Sequence, residues 1–149
     1  MDAHRHSNEP SESSESAARG ATRTDAQRRG DAGEDAALAF LVSRGLRPLA
    51  RNVRFKGGEL DLVMLDGAML VFVEVRRRGR RDFGDAVDSV DARKARRIAL
   101  AARLYLQRNP RHAQRDCRFD VVAYSGGAFG GESGGAPTWL RGAFTLDDV

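Results

Sequence analysis

The chain has a single cysteine, Cys117. No intrachain disulfide is therefore possible, and a reducing, cytoplasmic compartment fits. Lysine is almost as scarce, occurring only at positions 56 and 94, so nearly all of the 25 basic residues are arginine. No apolar run approaches the roughly 18 to 20 residues of a membrane-spanning helix, and the N-terminus lacks the basic-then-apolar pattern of a secretory leader. No membrane partner is expected. Residues 1–30 have almost no large apolar side chain and are rich in Ser, Glu and Arg. Such a stretch buries too little surface to offset its ordering entropy, and the composition predicts a disordered tail. His4 and His6 on that tail are too weak a signal for a metal site.

The rest of the 149 residues, 31–149, is the right size for one domain with its own core. The net charge of +4 is unevenly spread: residues 76–97 hold nine basic residues against Asp82, Asp85, Asp88 and Asp91. A polyanion-binding face would look like this, and so would a solvated surface in an arginine-rich protein.

Periodicity predicts a helix from about Asp31 to Gly45, with Leu38, Leu41 and Val42 at helical spacing. Strands are expected over "RPLARNVRF", Glu59–Leu65 and Leu70–Arg76, the last two joined by a tight turn at "DGAM". A basic Gly-containing loop, "RRGRRDFGDAV", precedes a second helix from about Asp91 to Arg108, which ends before Pro110. Its inner face is Ala95, Ile98, Ala102 and Tyr105. "CRFDVVAY" and "TWLRGAF" are predicted strands on either side of a Gly-rich loop. The order α-β-β-β-α-β-β describes an α/β fold, a mixed sheet flanked by helices.

Inside the apolar hairpin sit Glu59, Asp61 and Glu74. If Leu65 pairs with Leu70, Asp61 lies opposite Glu74 and Glu59 opposite Arg76; a shorter loop makes Asp61 a diagonal neighbour of Glu74. Strand alternation then puts the acids on one face, within about 5–8 Å of one another. Like charges that close require a cation or a shared proton. An Asp and a Glu on adjacent strands suit Mg²⁺, a hard ion that takes oxygen ligands. The other reading is a structural ion pair, Glu59–Arg76 or Asp61–Arg76. Glu34 falls on the sheet-facing side of the first helix and is in reach of the cluster, although a Glu in a first helical turn is also favoured by the helix dipole.

"GELDLVMLDGAMLVFVEVRRR", with the upstream "GEDAALAFLVSRG" and the later "RFDVVAY" and "LRGAF", resembles the bacterial YraN family over about residues 30–146. That family resembles the PD-(D/E)XK nuclease superfamily, which shares its fold with type II restriction enzymes and archaeal Holliday-junction resolvases. The resemblance implies a restriction-endonuclease-like fold and a site holding Mg²⁺ or Mn²⁺. Asp61 takes the place of the central metal-binding Asp, Glu74 that of the first acid of E-x-K, and Glu34 that of an additional helical metal ligand. Arg76 stands where the lysine would be and, because it stays protonated, makes a poor general base. Lys94 or Lys56 is a candidate replacement ammonium. Tyr105 matches an aromatic position of resolvase-like relatives, and equally a core tyrosine.

The implied activity is a Mg²⁺-dependent endonuclease on DNA, with branched or damaged structures as candidate substrates and a homodimer compatible with paired cuts. Asp61, Glu74 and Arg76 would be catalytic. Arg77, Arg78, Arg80, Arg81, Arg93, Lys94, Arg96 and Arg97 would grip the phosphate backbone. Two alternatives remain: a non-catalytic nucleic-acid-binding module on the same fold, and a scaffold for a protein partner.

Overall fold

The computed structural model describes residues 24–78, 90–125 and 136–149. Arg80, Arg81, most of the predicted tail and most of the Gly-rich loop lie outside the described residues, as does the side chain of Arg78.

Helix α1 spans Asp25–Ser43 and so begins before the predicted onset at Asp31. Its first turns carry no apolar stripe and are set by a capping box. Thr24 Oγ1 accepts from the Gln27 N–H, and Gln27 Oε1 accepts from the Thr24 N–H. Strands β1 (Arg47–Phe55), β2 (Gly58–Asp66) and β3 (Met69–Arg78) follow, then α2 (Ala92–Arg108), β4 (Cys117–Ser125) and β5 (Thr138–Phe144). This is the predicted α-β-β-β-α-β-β order.

The strands form one mixed sheet in the order β1-β2-β3-β4-β5. β3 and β4 run parallel, and the other neighbouring pairs are antiparallel. A parallel pair needs a crossover, and α2 provides it. The β2–β3 register is Leu65 to Leu70, one of the two registers anticipated, and Gly67 takes up a left-handed conformation (φ 59°) in the turn.

Each face of the sheet buries one helix. On the α2 side, Val63, Leu65, Phe72 and Phe119 pack against Ile98, Ala101, Ala102 and Tyr105. On the α1 side, Leu62, Met64, Val71, Val73 and Val122 pack against Ala37 and Leu41. The alanines of α2 let it lie almost on the sheet. A Cβ at Gly58 would stand 2.4 Å from the Arg97 carbonyl oxygen, so only glycine fits there without a shift.

A candidate cation and phosphate site where two strands part

The regular alternation of β2 fails at Asp61. Leu62 and Met64 belong to the α1-side core, yet Leu60 packs on the α2 side with Val63 and Leu65. The β2–β3 ladder also stops at this point, its last pair being Leu62 with Val73. Beyond it a side chain takes over the pairing: Asp61 Oδ2 accepts from the Val75 N–H at 2.9 Å. The expectation that plain alternation would place all the acids on one face is therefore corrected. Asp61 stands in the fork between the strands and lines a cavity whose wall includes residues of both α1 and α2.

Glu74 is the acid on the α2 side. It is 5% exposed, and Lys94 Nζ lies 2.9 Å from its Oε1, with Arg76 Nη1 at 3.8 Å from the same oxygen. Burial pushes the Glu74 carboxyl up to about 8, and the neighbouring Asp61 carboxylate adds to the rise. Lys94 opposes the shift. Lys94 is placed by the helix start, where Asp91 caps α2 by accepting from the Lys94 N–H at 2.8 Å. Of the two expectations for Lys94, an outward phosphate grip and an ammonium at the site, its contact with Glu74 fits the second.

Glu34 comes in from the α1 side. It lies well inside α1 rather than in the first turn, so the helix dipole does not account for it. It is 9% exposed, and its Oε2 is buried without a hydrogen-bond partner. Burial raises its pKa, as does the Asp61 charge, against a hydrogen bond from Asn52 and the charge of Arg51.

Glu34, Glu59 and Asp61 each present a carboxylate oxygen such that all of these atoms lie within 4.8 Å of one another. The sequence placed Glu59 in the acid cluster beside Asp61, with a structural pair to Arg76 as the other reading. In the structure its Oε2 lies 3.8 Å from Arg54 Nε. The signal for its grouping with Asp61 was present in their spacing of two along a strand. What brings Glu34 to them is the docking of α1.

A cavity of about 410 Å³ opens over the fork, walled by Glu34, Asp61, Glu74, Arg76, Arg77 and Lys94 together with the small residues Gly30 and Gly33. Arg93 and Arg96 are exposed on α2, and Arg97 is exposed with its Nε 3.4 Å from the Gly57 carbonyl oxygen. Lys56 is exposed in the β1–β2 turn and does not line this cavity. Tyr105 is 6% exposed and makes an edge contact with Phe72 at 6.0 Å between ring centroids, which is the core reading.

Fold and site together define an α/β protein whose sheet holds an acidic fork, flanked by a lysine and arginines, at the point where two central strands separate. Comparison with known proteins gives the family. The profile described as "Uncharacterised protein family UPF0102" matches residues 33–124, and the chain belongs to that family. It is 56% identical over 115 residues to a UPF0102 protein of Pseudomonas entomophila, a match covering 77% of this chain and 91% of the relative. A UPF0102 protein of Xanthomonas campestris is 51% identical over 125 residues, covering 82% and 95%. One from Xylella fastidiosa is 52% identical over 122 residues, covering 80% and 93%. No helix among the described residues is long and apolar enough to cross a membrane.

Proposed function

We propose that the chain is a Mg²⁺-dependent endonuclease that hydrolyses phosphodiester bonds in DNA. The observation that carries this reading is the fork itself: Asp61 held by the Val75 amide, beside a buried Glu74 that has the Lys94 ammonium on one carboxylate oxygen. Burial and the Asp61 charge push the Glu74 carboxyl up to about 8, so the pair calls for a shared proton or a cation. Oxygen donors of this kind fit Mg²⁺ or Mn²⁺, and a bound divalent ion would screen both acids, neutralise phosphate charge and acidify a water.

The residues of the chain divide the remaining work. Asp61 and Glu74 bind and orient. Lys94 replaces the ammonium that Arg76 cannot supply in the E-x-K position, and its 2.9 Å contact with Glu74 fixes it at the cavity. Arg76 and Arg77, which also line the cavity, give charge and hydrogen bonds to the scissile phosphate and its neighbour. In the reaction, water adds to phosphorus, one P–O ester bond breaks, and the water's proton ends on the leaving alkoxide. Arg93, Arg96 and Arg97 at the start of α2 contact the backbone further along. No base-reading helix or zinc module is evident in the sequence, so the substrate is chosen by shape, with branched or damaged DNA the leading class. A homodimer would allow paired cuts.

Arginine in the lysine position favours one other reading, a binding module without catalysis. The test is incubation with labelled four-way junction, flap, single-stranded and linear duplex DNA in Mg²⁺, Mn²⁺ or EDTA. Metal-dependent cutting, lost in Asp61→Asn and Glu74→Gln, supports the nuclease. Binding that is unaffected by EDTA and by both substitutions, with no cutting, supports the module.

A further inference from the structure

We propose that Arg44, Phe40, Trp139 and Arg141 form a stacking platform for unpaired nucleotides on the α1 side of the sheet. The four side chains alternate cation and ring. Arg44 Cζ lies 4.9 Å over the Phe40 ring, and Arg141 Cζ lies 4.0 Å over the Trp139 ring. Between them Phe40 and Trp139 meet edge to face, 6.0 Å apart at their centroids. Helix α1 supplies one half and the edge strand β5 the other, where Trp139 and Arg141 share a face because they are two residues apart.

Packing accounts for the two rings, which cover the α1-side core. It does not account for the arginines. Both are exposed, and neither has a carboxylate partner among the described residues, whereas Arg51, Arg54 and Arg118 each face an Asp or a Glu. Two uncompensated guanidiniums held against aromatic rings complement a polyanion that also has flat apolar faces, which is a nucleic acid. The platform is rigid as well. Trp139 Nε1 donates to Asp120 Oδ2 at 3.0 Å, and Asp120 is only 1% exposed. A base stacking on the outer side of Arg141 therefore meets groups that are already ordered. Bases paired inside a duplex have no free face to offer, so the platform selects an unpaired segment and ignores its sequence.

The platform lies close to the acidic fork. Trp139 pairs with Val122, and Val122 with Val75, whose amide holds Asp61. Two strand spacings, about 10 Å, therefore separate Trp139 from that anchor. Along α1, Phe40 follows Glu34 by a rise of about 9 Å. Either path corresponds to about three nucleotides at the roughly 3.4 Å rise of a stacked strand. The substrate class is thereby narrowed to DNA with unpaired nucleotides beside the cut, a flap or a gap ahead of a fully paired junction. That consequence rests on the nuclease reading, whereas the platform itself does not.

Trp139 is the only tryptophan of the chain, so its emission reports on the platform alone. The full chain is titrated in EDTA at low salt with a flap, a linear duplex of equal length, a thymidylate oligomer and poly-glutamate. Binding is followed separately by the anisotropy of labelled ligands. The flap and the thymidylate oligomer should quench Trp139, and the flap should bind about tenfold more tightly than the duplex, the scale of one stacked base. Arg141→Ala, at an exposed position whose substitution leaves folding intact by circular dichroism, should remove most of that preference. DNA binding with unchanged Trp139 emission, or a flap preference that survives Arg141→Ala, overturns the inference, and metal-dependent cutting by the same protein then leaves the nuclease reading standing. Equal quenching by poly-glutamate also overturns it, in favour of an acidic protein partner. Quenching and an Arg141-dependent flap preference, with no cutting once Mg²⁺ is supplied, uphold the platform and remove the nuclease reading. No binding to any DNA overturns both.

Discussion

Replacing Glu74 by Gln should make the metal-free protein more stable at alkaline pH. The carboxyl has a pKa of about 8 in the folded chain against 4.5 for a free side chain. Between those values the folded state holds a proton that the unfolded state has released, so stability falls as pH rises through this window and levels off above it. Each pKa unit corresponds to about 1.4 kcal/mol, which sets a ceiling of about 5 kcal/mol. The contact with Lys94, itself 41% exposed, lets water and side-chain movement relieve part of that, and about 2–3 kcal/mol is the expected effect. In a chain of 149 residues this corresponds to roughly 5–10 °C in Tm. Gln keeps an oxygen for the Lys94 ammonium and an N–H for Asp61, so the geometry survives. The assay is thermal unfolding of both proteins in EDTA from pH 5 to 9. The two curves should nearly coincide at pH 5 and separate progressively, the variant higher, up to about pH 8.5. Glu34, whose pKa is also raised by burial, adds a slope of the same sign to both proteins and cancels in the difference. Parallel curves, or a variant that loses stability at every pH, would refute the picture of a strained, cation-seeking acid pair.

Other parts of the molecule make separate predictions. Asp120 is 1% exposed and accepts hydrogen bonds from Arg118 Nε and Nη2, Trp139 Nε1 and the Gly142 N–H. Asp120→Asn leaves the Arg118 charge half-compensated and should cost about 3 kcal/mol, read as a lower midpoint in urea. Gly58→Ala puts a methyl against the α2 backbone. A loss of about 1–3 kcal/mol is expected in the same assay, together with weaker metal binding as Lys94 is displaced from Glu74. In DNA binding measured against salt, Arg93→Ala with Arg96→Ala should reduce the log–log slope by about two, with little dependence on sequence.

Much of this fold could be read from the chain. The turn at Gly67 and the apolar runs on either side narrowed the hairpin to two registers, of which the structure takes Leu65 with Leu70, and β5 falls where "TWLRGAF" predicted it. What escaped the reading was tertiary in origin. The start of α1 rests on Thr24 and Gln27, a local polar cap with no apolar periodicity to announce it. The break in alternation at Asp61 arises because two strands part, and that depends on what packs on either side of them. Lys94 reaches Glu74 only because α2 settles so close to Gly58. Spacing along the sequence reports neither distance. Glu59 and Asp61 were visible as a pair, and their third partner, Glu34, was visible as a sheet-facing residue. Their convergence on one point needed the docked helix.

The most direct test of the central claim is a single-turnover cleavage rate, measured in saturating Mg²⁺ on the DNA structure bound most tightly, for the wild type and Asp61→Asn. The account predicts a rate at least about 10³-fold higher in the wild type, the scale expected when several kcal/mol of cation-dependent stabilisation is removed, with both proteins folded and both still binding DNA. Equal rates, or no cutting by either protein at any metal concentration, would contradict it.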